Sequence, residues 1–140
     1  MISPEPEAAD PAQAEQPIGT IAQVHGPVVD IRCSQLPPLH QALSTPLDGE
    51  KCLFEVHRHL DEQHVRAITL HRTSGLRRGM PVFDTGALLH VLVGLDCLGC
   101  LLNVFGAPLD GGAPLATETY RNILASPPPL HETVAGGEIL

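Results

Sequence analysis

Four groups of residues in this 140-residue chain combine types and spacings that could do chemistry. Cys97-Leu98-Gly99-Cys100 is a C-x-x-C pair. On a helix its sulfurs lie three residues apart on one face, where they could chelate a metal or form a redox couple. A structural zinc site needs a second pair at matching spacing, and Cys33 and Cys52 each stand alone. Small buried hydrophobes are the plainer role for such cysteines. His57-Arg58-His59, with His64 across a hairpin turn and Glu55 on the same strand face, could gather imidazoles around a transition metal. A solvated strand face accounts for the same residues. Gly75-Leu76-Arg77-Arg78-Gly79 sets two arginines in a tight bend, which is either an anion site or a pair of solvated cations. Asp84 beside Thr85 suggests acid–base work, but an aspartate at a strand end before glycine is more simply a turn-former.

A nucleotide-phosphate cradle needs glycine N–H groups, then a lysine for the β- and γ-phosphates and a hydroxyl for magnesium. The chain's single lysine, Lys51, lies in Gly49-Glu50-Lys51-Cys52, with neither the preceding glycine pattern nor a following hydroxyl. No Ser/His/Asp or paired-carboxylate set can be placed. The expectation is therefore no catalytic, cofactor-binding or metal-ligating residue in these 140 positions, and no enzyme activity of the chain alone.

The elements that carry these residues read mainly as strands. Thirteen glycines and fourteen prolines exclude a helical bundle and favour short strands joined by turns. Residues 18–33 predict two strands around a His25-Gly26-Pro27 turn, with Val29, Ile31 and Cys33 alternating inward. Leu36–His40 reads as a proline-stiffened connection and Ser44–Glu50 as a turn-rich loop. Cys52–His59 is the clearest strand, with Cys52, Phe54 and Val56 on one face and Glu55, His57 and His59 on the other. Leu60–Gln63 predicts the hairpin turn and His64–Leu70 the return. Residues 80–86 form a short strand with a stop. Such a series points to a small closed antiparallel barrel, which leaves no exposed sheet edge. Beyond Gly86, Leu88–Val93 reads as an apolar strand, Asp96 as the cap of a short helix through Val104, and Gly106 as that helix's stop. Ala107–Pro114 reads as loop and Ser126–Leu130 as an extended linker.

Charge and composition exclude some functions. The net charge is −8, yet residues 18–86 carry seven acids and seven bases. A neutral body with acidic ends does not attract phosphate backbones or anionic lipid, and 3% aromatic residues make a poor stacking platform. Nucleic acid is thus not an expected partner. Residues 1–17, acidic and rich in Pro, Ala and Gln, match neither a secretory signal nor a transit peptide and read as a disordered extension. The apolar run Ala87–Phe105 is interrupted by His90, Asp96, Asn103, Gly94 and Gly99, so direct membrane insertion is not expected. Reduced thiols and a cytoplasmic location follow.

Many short motifs, in order, now resemble one family. Thr20–Cys33 with Gly26-Pro27-Val28-Val29-Asp30, Leu36-Pro37-Pro38, Ala42-Leu43, Glu55-Val56, His59-Leu60, Val65-Arg66-Ala67-Ile68, Gly75-Leu76 with Arg78-Gly79-Met80, and Asp84-Thr85-Gly86 are similar to the opening of the β subunit of F-type ATP synthases. Leu98-Gly99, Asn103-Val104, Gly106, Pro108-Leu109-Asp110 and Glu138-Ile139-Leu140 continue the likeness. The chain departs from the family at Cys100, where an arginine is usual, and at Leu88, where a proline is usual. The wording of Leu36–His40 and His59–Arg66 is also similar to the sodium-type branch. The branch and the coupling ion, proton or sodium, stay open.

The resemblance implies a six-stranded barrel over residues 18–86 and the start of a truncated nucleotide-binding domain over 87–140. It implies a crown (assembly) role beside α-subunit barrels in an alternating ring, peripheral on the inner face of a bacterial membrane. It implies a parent that synthesises or hydrolyses ATP with Mg, coupled to ion transport. The other class considered, an independent small barrel that binds RNA or oligosaccharide, is disfavoured by the charge and the scarcity of aromatics.

Overall fold

The computed structural model describes residues 16–117, 119–127 and 129. Among the described residues eight strands follow in order: β1 (Gly19–His25), β2 (Val28–Cys33), β3 (Gln41–Leu47), β4 (Glu50–His59), β5 (His64–Thr69), β6 (Pro81–Leu88), β7 (His90–Leu92) and β8 (Tyr120–Asn122). The chain divides into two compact units, up to Leu89 and from His90.

The first unit is a closed, all-antiparallel barrel in the order β1-β2-β5-β4-β3-β6. Alternation along each strand drives it. Ile21, Val29, Ile31, Cys33, Leu43, Cys52, Phe54, Val56, Val65, Ala67 and Val82 form one buried cluster. The expected inward faces of β2 and β4 are the observed ones. Gly26 takes φ 57 ahead of Pro27, whose ring fixes a negative φ, so the two-residue β1–β2 turn has the handedness that suits twisted strands.

The strand order demands two long crossings. Residues 34–40 run from β2 past β5 and β4 to β3 at one end of the cylinder, and residues 70–80 run from β5 to β6 at the other. Each closes its end with apolar side chains: Leu36 and the buried Pro37 at the first, Leu76 and Met80 at the second. His40 N–H donates to Val56 O (2.7 Å), which fastens the first crossing to β4.

Several sequence expectations change here. Ser44–Glu50 is not a loop: β3 extends to Leu47, and the turn is only Asp48-Gly49, both at positive φ. Pro46 is tolerated because β6 pairs with β3 no further than Ser44, so its missing N–H costs no ladder bond on that side. Strand β6 does not stop at Gly86 but runs through a bulge to Leu88. A bulge between Val56 and Arg58 resets the alternation of β4, so His57 and His59 do not share a face in the expected way.

The second unit pairs β7 with β8. The expected helix from Asp96 through Val104 is instead a single 3-10 turn, Leu95–Cys97, with Gly94 at its N-cap position. Leu98 is already extended and Gly99 sits at φ 75, a pair of conformations that ends any helix. Asn103 takes over the capping work: its Oδ1 accepts the N–H groups of Phe105 and Ala107, both at 2.9 Å. Gly106 serves this turn at φ 82. No helix among the described residues is long and apolar enough to cross a membrane. The expected acidic extension (but for Gln16 and Pro17), and the stretch from His131 to Leu140, lie outside the described residues, as does part of the 126–130 linker.

Candidate functional site

The histidine group disperses. His59 Nε2 donates to Pro37 O (2.8 Å), clamping the first crossing, while His57 points to solvent. His64 Nδ1 donates to the Asp61 carboxylate (2.9 Å), which also accepts the N–H groups of Gln63 and His64 in the hairpin turn. Those bonds hold the Asp61 carboxyl below its usual range, the Gln63 N–H foremost. Glu55 belongs to another histidine, His40, whose Nδ1 lies 2.8 Å from Oε1. Among the described residues no three His, Cys, Asp or Glu side chains gather to hold a metal ion.

The cysteines split by environment. Cys33 and Cys52 are buried, and all four thiols are free. Burial pushes the Cys33 thiol up to about 11, with the nearby Asp84 carboxylate adding to it. Cys97 is half-buried against Leu92 O (3.9 Å), and the exposed Cys100 leans on Asp96 O (3.4 Å). The helix expected to put the pair on one face is not formed.

Lys51 stands exposed on β4 opposite Pro46. Arg77 and Arg78 are both exposed in the second crossing. There Gly75 and Gly79, at φ 92 and 88, make the two turns.

Asp84-Thr85-Gly86 is a built piece of the barrel. Between the pairs Leu43↔Asp84 and Gln41↔Leu88, β6 holds two residues more than β3. Asp84 Oδ1 accepts Gly86 N–H (2.8 Å) and Gln41 Nε2 (2.7 Å), while Thr85 Oγ1 donates to Ala42 O (2.7 Å). Gly86 supplies φ 71. Aspartate, threonine and glycine are each needed, for acceptor, donor and left-handed backbone respectively. The carboxylate's role here is structural.

Sequence reasoning missed a two-bonded ion pair on the barrel wall. Asp30 on β2 and Arg66 on β5 are directly opposed and joined by two bonds, Nε to Oδ1 and Nη2 to Oδ2, each 2.8 Å. The Arg66 guanidinium holds the Asp30 carboxyl below its ordinary 3.8, chiefly through that hydrogen bonding, against the opposing effect of burial. The only sequence signal is opposite charge at two outward positions, and it becomes readable once the β2–β5 register is known.

A closed antiparallel barrel capped at both ends by crossings defines the class, a small β-barrel domain. Residues 21–86 match the ATP synthase alpha/beta family, β-barrel domain. Over 131 residues the chain is 40% identical to ATP synthase subunit beta 2 of Chlorobium luteolum, covering 93% of this chain and 28% of that relative. It is 44% identical over 128 residues to ATP synthase subunit beta 3 of Paraburkholderia xenovorans, covering 87% and 26% respectively. The chain is thus similar to the β-barrel domain of the ATP synthase alpha/beta family over residues 21–86 and, over most of its length, to the N-terminal region of ATP synthase β subunits. It spans little more than a quarter of the length of these relatives.

Proposed function

We propose that the barrel is the crown domain of an F-type ATP synthase β subunit and that it docks against α-subunit barrels in an alternating ring. The observation that carries the proposal is the coincidence of the closed barrel, Gly19–Leu88, with the segment that matches the family's β-barrel domain. The barrel surface offers what lateral contact needs. Among the described residues, β1 beyond Ile21 pairs with β2 alone, so the backbone of Gln23–His25 presents an edge. Ile68 is 38% exposed on β5, in register with Val28 on one side and Glu55 on the other, which gives an apolar spot beside the polar rows.

In this proposal the parent protein carries out ATP synthesis or hydrolysis with magnesium at a nucleotide-binding domain, coupled to proton or sodium transport, at the inner face of a bacterial membrane. The chain described here contributes position and not phosphate chemistry. Co-elution with an α-subunit barrel domain tests the docking: a stable mixed species is expected, and separate elution at high concentration of both would overturn it. Calorimetry with magnesium-ATP tests the second half, with no saturable heat expected.

A further inference from the structure

The rings of His25, His40, His59, His64 and His71 all make hydrogen bonds, and one of these bonds differs in kind. His25, His40, His59 and His64 each face an oxygen acceptor: Gln23 Oε1, Glu55 Oε1, Pro37 O and the Asp61 carboxylate. A ring nitrogen donates in all four, and a second proton on the ring leaves those bonds intact. His71 is the reverse. Its Nδ1 accepts the backbone N–H of Leu53 at 3.1 Å. Only a ring unprotonated at Nδ1 can do so.

The bond sits where β5 leaves the sheet. Leu70 N–H donates to Leu53 O (3.1 Å), the last backbone rung between the strands, and the His71 ring then supplies the acceptor that a continuing strand would have supplied. Thr69 Oγ1 locks the corner by accepting His71 N–H (3.2 Å) and donating to His71 O (3.3 Å). The segment that follows carries Leu76 and Met80, which pack on the core and close this end of the barrel. His71 is half-buried and lines an open cleft, so protons reach it. The charged groups around it are Asp48 and Glu50 from the β3–β4 turn, Arg72 beside it, and Lys51 and Glu55 on the outward face that β4 shares with Leu53.

We infer that His71 is an acid-sensitive latch: protonation of Nδ1 releases Leu53 and loosens the 70–80 crossing from the start of β4, leaving the other histidine clamps in place. Nitrogen-15 NMR of the whole chain, with amide exchange expressed as protection factors, tests it. At neutral pH the His71 ring is expected as the Nε2–H tautomer. As the ring titrates, protection at Leu53 is expected to fall about tenfold or more while Val56, deeper in β4, is unchanged. In His71→Asn the amide oxygen keeps an acceptor that does not titrate, so Leu53 protection becomes insensitive to pH over the same range. In His71→Ala it is low throughout. An Nδ1–H tautomer at neutral pH, or Leu53 protection that is constant through the His71 titration, would overturn the latch. So would a pH-dependent loss in His71→Asn equal to that of the parent chain.

Discussion

Asp30 shows how one side chain reports on the whole barrel. Its carboxylate is nearly buried, and the paired Arg66 stabilises the charged form in the folded state only. A depressed folded-state pKa means that the unfolded chain binds the proton more readily. The contribution is therefore complete above the ordinary value of 3.8 and is lost as the pH falls through the lower folded value. Asp30→Asn is expected to be less stable than the parent chain at pH 7, and the difference is expected to shrink on acidification below about pH 4. Urea unfolding at a series of pH values measures it, and a stability gap that widens toward acid would contradict the assignment. Asp61 shifts in the same direction, but it is exposed in a turn, where solvent screens its partners and little stability depends on it.

At the scale of elements, the close approach of β1 and β2 is the feature least tolerant of change. A Cβ on Gly19 would overlap the Arg32 carbonyl oxygen and crowd Cys33 Cα, both backbone atoms that cannot swing aside. Gly19→Ala is expected to push the strands apart and lower the melting temperature by several degrees, about 5 °C or more for a domain this small. A thermal scan showing no loss would mean that β1 enters by another route. The same scale explains what could be read in advance. Alternation in β2 and β4 placed the core, because Val29, Ile31, Phe54 and Val56 repeat with the period of a strand. Strand β3 was hidden because Pro46 and the Asp48-Gly49 turn just beyond it are loop residues by type, and only the lack of a β6 neighbour at Pro46 makes that proline compatible with a strand. The helix expected after Asp96 failed on Gly99, one residue that outweighed an apolar run. Bulges in β1, β4 and β6 left no mark in the hydrophobic pattern, so the histidine face could not be judged from spacing. The chemistry-bearing motifs were legible as residues, yet their separation in space was not.

For the molecule as a whole, the barrel core should open as one unit. Phe54 is fully buried at its centre, and Phe54→Ala is expected to cost about 3–5 kcal/mol. Thiol alkylation followed by mass spectrometry reads this directly. In the folded parent, Cys100 is expected to react first, and Cys33 and Cys52 only on global unfolding; in Phe54→Ala those two should become reactive together. Labelling of Cys33 without Cys52 would argue against a single cooperative core. The cylinder is closed by its narrowest join, two register pairs between β1 and β6, Gly19↔Val82 and Thr20↔Pro81. Hydrogen bonds from Ile18 N–H to Val82 O (2.8 Å) and from Gly79 N–H to Ile21 O (2.8 Å) extend it on either side. Because the two strands are antiparallel, β1 enters and β6 leaves at the same end. Tension on the flanking polypeptide would therefore load these rungs one after another, as a zip and not as a rivet row. Mechanical force applied to the two flanks would find its first yielding point at Ile18 and Gly19.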